Sequence, residues 1–127
     1  MNNSVFLLDT NTVMYLLNND LSVVKLLDKK SAAISFVTEI ELLGWPHITS
    51  SEINTIKTFI SNCYYYDYSQ AIKNNCIELR KGYKLKLADA LIVATAIEFD
   101  LTLISADKGL AKVKELQIIN FIPSLHE

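Results

Sequence analysis

Three aspartates of this chain stand at the same kind of junction. Asp9 closes the apolar stretch SVFLLD, Asp107 lies just past LTLIS, and Asp89 heads the uncharged stretch ALIVATAI at residues 90–97. Each has an ordinary structural role open to it, because Asp is a favoured N-cap and first-turn residue that accepts helix N–H groups. Gathered at one edge, three carboxylates would repel one another and raise each other's pKa. A divalent cation among them removes that penalty. Oxygen ligands select hard cations, so Mg2+ or Mn2+ is the expected occupant. A fourth acid is offered by TEIELL, where Glu39 and Glu41 stand two residues apart. On a helix such a pair points to nearly opposite sides, so only one can face a shared site. Periodicity leaves that choice open.

The elements that must position these acids follow from the apolar pattern. SVFLLD reads as a strand buried on both faces. TNTVMYLLNND and LSVVKLLDKK read as helices, AAISFV as a strand, and TEIELLGW as a helix stopped by Gly44 and Pro46. SSEINTIKTFISN opens with capping residues and repeats Ile at helical spacing. CYYYDY is a strand, SQAIKNNCIELRKGY a helix ended by Gly82, ADALIVATAIEF the apolar helix, and LTLIS, DKGLAKVKE and QIINFI a strand, a short helix and a last strand. Strands alternate with helices throughout. The expected fold is α/β: a single three-layer α/β/α domain over residues 1–127 with a mostly parallel central sheet. In such a sheet ligands bind beyond the carboxyl ends of the strands, at the switch in strand order. Asp9 and Asp107 meet there if their strands are neighbours, and Asp89 joins them if its helix starts at that edge.

Composition bounds the rest. The chain has 127 residues, half of them hydrophobic and a fifth charged, with three glycines and two prolines. That supports a sizeable core and short connections, and excludes disorder. Net charge is −2, so there is no bulk basic footprint for nucleic acid. Any such contact must come from bound cations or a local patch. RKGYKLK is the one concentrated basic stretch, and its Arg80, Lys81, Lys84 and Lys86 fit either a phosphate contact or a solvated loop. Cys63 and Cys76 lack metal-ligand spacing and read as reduced, buried thiols. His47 and His126 read as surface residues. Strand alternation splits Tyr64, Tyr65 and Tyr66 between core packing and an interface. No secretory signal or membrane span is visible, so a cytoplasmic protein without membrane attachment is expected.

FLLDTN, TEIELLG, LADALIVATA and LISADKGL occur in the order and spacing of the PIN domain, and the chain resembles the VapC-type toxins of bacterial toxin–antitoxin pairs. The four motifs reach from residue 6 to residue 110. The resemblance implies a PIN-like fold and a Mg2+- or Mn2+-dependent endoribonuclease. It implies that Asp9, Glu41, Asp89 and Asp107 are catalytic. Thr38, three residues before Glu41, decides for Glu41 over Glu39. Asp9, Asp89 and Asp107 would hold the cation directly or through water, and Glu41 would orient a water or help bind a second ion. Asn11 and Ser105 are implied as supporting polar residues. An RNA substrate, a small cognate antitoxin and a homodimer are implied as partners, with the antitoxin on the apolar face of residues 13–27. The chain departs from the pattern twice: Leu43 runs straight into Gly44 where the family commonly has Tyr between, and Ala106 stands where an Arg often precedes the fourth acid. A PIN-like module without turnover and a housekeeping nuclease are the alternative readings. A dehalogenase-like phosphatase would need Asp where Asn11 stands, and a receiver domain would need an acidic pair and a later Lys that this order does not supply.

Overall fold

A computed structural model describes residues 4–124; His126 lies outside them. β1 (Val5–Leu8), β2 (Ser31–Ser35), β3 (Tyr64–Tyr66), β4 (Thr102–Ser105) and β5 (Ile118–Asn120) form one sheet in the order β3-β2-β1-β4-β5. Every neighbouring pair is parallel. The order reverses between β1 and β4, which pair through Phe6 with Thr102, Leu7 with Leu103 and Leu8 with Ile104. Asp9 and Asp107 therefore follow adjacent central strands.

Strand alternation divides the apolar side chains into two cores. Val5, Leu7, Ala33 and Leu103 pack under α5 (Gln70–Gly82) and α6 (Leu87–Glu98). Phe6, Leu8, Ile34 and Ile104 pack under α1 (Thr10–Leu17), α2 (Leu21–Leu26) and α4 (Ser50–Ser61). α3 (Phe36–Leu43) bridges the two, giving Val37 to the first core and Leu42 to the second. The fold is the expected three-layer α/β/α arrangement, with a sheet parallel throughout. Leu7, Leu8, Leu103 and Ile104 have no exposed surface; truncating any of them to Ala costs about 2–5 kcal/mol. α6 is buried nearly all round because it lies between the sheet and α5.

Local chemistry sets several boundaries away from the sequence pattern. AAISFV does not stay extended to its end. Ser35 stops the strand, its hydroxyl accepts the Thr38 N–H, and Phe36 and Val37 become the first turn of α3. α4 is capped one residue before SSEINT: Thr49 Oγ1 accepts the Glu52 N–H at 3.1 Å, and the Thr49 N–H donates to Glu52 Oε1 at 2.9 Å. α3 ends where the Gly44 N–H reaches the Ile40 carbonyl at 2.8 Å; a Cβ at residue 44 would lie 2.6 Å from that oxygen. DKGLAKVKE forms a 3-10 turn over Lys108–Lys112. Asp20 is a buried acid with a purely structural task. Its Oδ1 accepts the Ser22 N–H and its Oδ2 the Ser124 N–H, pinning the last described residues to the α1–α2 corner. Cys63 and Cys76 are free, and burial pushes the Cys63 thiol up to about 11. Among the described residues no helix is long and apolar enough to cross a membrane.

Candidate active site

Asp9 closes β1 and caps α1. Its Oδ1 accepts the Thr12 N–H at 2.9 Å and lies 2.5 Å from the Thr12 hydroxyl, which is itself 2.9 Å from the Ile104 carbonyl on β4. Thr12 is fully buried. One carboxylate oxygen is thus committed to the helix start, while no hydrogen bond from the described residues engages Oδ2.

Asp107 follows β4 and is held from three sides. The buried Ser105 hydroxyl accepts its N–H at 3.0 Å. Its Oδ1 accepts the Gly109 N–H at 2.8 Å, and a Cβ on Gly109 would come within 3.1 Å of that oxygen. Asn120, at the end of β5, donates from Nδ2 to the Ser105 and Asp107 carbonyls at 3.0 and 3.1 Å.

Glu41 and Glu39 diverge as the helical spacing requires. Glu41 Oε1 accepts the Thr10 hydroxyl at 2.5 Å, and Thr10 Oγ1 also lies 3.1 Å from Oγ1 of the buried Thr38. Glu41 is thereby tied to the residue next to Asp9. Glu39 instead accepts the Tyr65 hydroxyl on the edge strand. Asn11 is exposed on the first turn of α1, and its side chain makes no hydrogen bond with the described residues.

Asp89 is the third residue of α6, whose N-cap, Lys86, makes no side-chain cap bond. No described residue donates a hydrogen bond to its carboxylate. Burial, then the like charges of Asp107 and Asp9, hold its carboxyl above the ordinary range; Lys86 opposes them and Glu41 adds a smaller push. The four acids, each from a different element, are therefore electrostatic neighbours at the switch in strand order. Among the described residues no three His, Cys, Asp or Glu side chains close on one point as a ready-made metal cage. An acid set of this kind suits a hydrated cation. Mg2+ keeps several waters and takes one or two carboxylates together with substrate phosphate.

The basic stretch lies beside this edge. Arg80 and Lys81 end α5, Lys84 follows, and Lys86 begins α6. They line a shallow cavity of about 640 Å³. Lys112 donates to the Lys84 carbonyl at 3.0 Å, which draws the 3-10 turn after Asp107 against this loop. His47 is exposed, edge-on to Trp45. Tyr64 and Tyr65 are exposed, while Tyr66 packs on Phe99.

The PIN domain model matches residues 6–116. The chain belongs to the PIN domain family. Solved structures share this PIN fold. A toxin–antitoxin complex from Klebsiella pneumoniae is 28% identical, with 91% of this chain and 96% of that chain covered and a TM-score of 0.77. VapBC2 from Rickettsia felis, bound to a DNA fragment from its promoter, is 24% identical, with 91% and 98% covered and a TM-score of 0.79. VapBC-1 from nontypeable Haemophilus influenzae is 21% identical, with 91% and 97% covered and a TM-score of 0.77. No curated protein matches the chain significantly in sequence. PIN domain nucleases generally use divalent metal ions.

Thr10, Thr12 and Asn120 are the site residues that the sequence pattern does not expose. Thr12 carries a faint signal, standing three residues after an acid at a helix start. Asn120 carries none, since its partners are reached only through the β4–β5 pairing.

Proposed function

We propose that this PIN protein is a Mg2+- or Mn2+-dependent endoribonuclease and the toxin of a type II toxin–antitoxin pair. One observation carries the chemistry: Asp9, Glu41, Asp89 and Asp107 come from four separate elements, and Asp89 feels the charge of the other three. In this reading Asp9, Asp89 and Asp107 hold the cation, directly or through water. A bound divalent cation supplies activation of water and neutralisation of the phosphate charge. Glu41, held by Thr10, would orient a water or help bind a second ion. Asn11 offers a polar contact beside Asp9, and Ser105 fixes the backbone of Asp107. Lys84 and Lys86, with Arg80 and Lys81, receive the RNA backbone next to the acids. This division of labour lets a chain of net charge −2 act on a polyanion.

The toxin role rests on the 28% identical toxin–antitoxin complex. A groove of about 420 Å³ runs between α1, α3 and α4, lined by Met14, Leu17, Trp45 and Ile48 and ending at Thr10 and Glu41. An apolar antitoxin segment seated there would reach the acids. It takes in part of the 13–27 face and extends it onto α3 and α4. Homodimerisation and a cytoplasmic location complete the reading.

The test is incubation of the purified chain with structured RNA, with Mg2+, with Mn2+ and with EDTA, beside Asp9→Asn. Cation-dependent cleavage by the unaltered chain alone is expected. Equal cleavage by both proteins, or no cleavage of any RNA with either ion, overturns the proposal.

A further inference from the structure

The first turn of α1 carries two hydroxyls with opposite exposures. Thr10 is half-buried and holds Glu41. Thr12 is fully buried and stands between two strands of the sheet. A threonine in a helix interior can return its proton to the helix carbonyl four residues back, as Thr95 does to Leu91. Thr12 is the third residue of α1, so that partner is not offered to it: residue 8 lies in β1. Its hydroxyl lies 2.5 Å from Asp9 Oδ1 and 2.9 Å from the Ile104 carbonyl, a residue 92 positions away in sequence. The Asp9 backbone N–H faces that same carbonyl at 3.5 Å. One hydroxyl therefore lies within hydrogen-bond reach of the ends of both β1 and β4, next to Ser105 and Asp107.

The single hydroxyl proton has two acceptors in range. The carboxylate is the closer and the charged one, so it draws the proton more strongly. With the Thr12 N–H already on Oδ1, the added hydroxyl gives that oxygen a second donor and fixes the carboxylate's rotation about its χ2 bond. Oδ2 is left without a donor among the described residues. A capping Asp needs only backbone donors, and Asp107 caps its own turn in that simpler way. The hydroxyl on Asp9 is additional to capping.

We infer that Thr12 is a positioning residue that locks Asp9 in the orientation presenting Oδ2 to a divalent cation and couples it to the β4 strand end. The inference rests on the proposed role of Asp9 as a cation ligand. Residues that orient a ligand in this way change affinity by about 10- to 100-fold when removed.

The experiment measures Mn2+ binding to the RNA-free protein by electron paramagnetic resonance, with thermal unfolding in EDTA alongside. Two pairs differ by one hydroxyl each: the unaltered chain against Thr12→Val, and Thr12→Ser against Thr12→Ala. Asp9→Asn is the control. Roughly tenfold or greater weakening is expected in Thr12→Val and Thr12→Ala, with Thr12→Ser close to the unaltered chain. If Thr12→Val fails to fold, the Ser and Ala pair decides. Equal Mn2+ affinity across the hydroxyl pairs, with binding lost in Asp9→Asn, overturns the role of Thr12. Unchanged binding in Asp9→Asn overturns the cation reading of Asp9 itself, and the inference about Thr12 with it.

Discussion

Asp9 and Asp89 each stand in the first turn or cap of a helix, on opposite faces of the sheet, and their surroundings differ sharply. Asp9 receives a backbone N–H and a buried hydroxyl on one oxygen. Asp89 receives no hydrogen bond from the described residues, and burial together with neighbouring acids raises its pKa. The first acid belongs to the fold as much as to the site. The second is a liability to the fold that Lys86 offsets in part and that protonation or a bound cation would relieve. Capping and chemistry are therefore not rival explanations for acids at helix starts: in the proposed function one position does both and the other does only the second.

The largest expected effect erases the contrast. Asp9→Asn and Asp89→Asn should each lower metal-dependent RNA cleavage by more than about 100-fold, beyond what residues behind a ligand cost. Single-turnover cleavage rates check this, and a mild loss in either would remove that acid from the site. Next, Glu41→Gln should lose about 10- to 100-fold, while Glu39→Gln, which disturbs only the Tyr65 hydrogen bond, should stay within about twofold. Comparable losses would show that helix α3 does not sort its two acids.

Stability separates Asp9 from Asp89 more finely. In EDTA, Asp9→Ala should cost about 0.5–2 kcal/mol through removal of the cap, whereas Asp89→Asn should raise the Tm at neutral pH. The sign follows from linkage. A carboxyl whose folded pKa is raised contributes stability below its unfolded pKa of about 4. That contribution is lost as pH rises through the folded value. The Tm gap between the unaltered chain and Asp89→Asn should therefore close in acid and open toward neutrality; a gap independent of pH would contradict the repulsion. The smallest effect tests the cation on the α6 side. Lys86→Ala should reduce the salt slope of RNA binding in EDTA by about 0.7 for each phosphate that Lys86 neutralises, measured by fluorescence anisotropy over a salt series.

The sequence discloses the acids because each sits where the apolar pattern changes period, a local signal. It discloses the alternation of strands and helices for the same reason. The order of the strands, and hence the meeting of Asp9 with Asp107, needs the β1–β4 pairing itself. β2 ends earlier than its residue types suggest, because Phe36 and Val37 favour strands while the Ser35 cap starts a helix there. Glu39 and Glu41 are equivalent by helical spacing; the family motif favours Glu41 through Thr38, and in the structure Thr10 and Tyr65, from other elements, separate the two. Asn120 stays hidden because its acceptors are the carbonyls of Ser105 and Asp107, reached only through the β4–β5 pairing, and Thr12 because its hydroxyl stands between Asp9 and the Ile104 carbonyl, which only the β1–β4 pairing brings together.

The placement of β1 beside β4 has a consequence for timing. Synthesis delivers Asp9 first and Asp107 about a hundred residues later, with β2 and β3 already made on the other flank. Chains fold from the end that emerges first, yet the centre of this sheet stays open until nearly everything has left the ribosome. In the proposed reading, a growing or prematurely terminated chain lacks the strand that brings Asp107 to the other three acids.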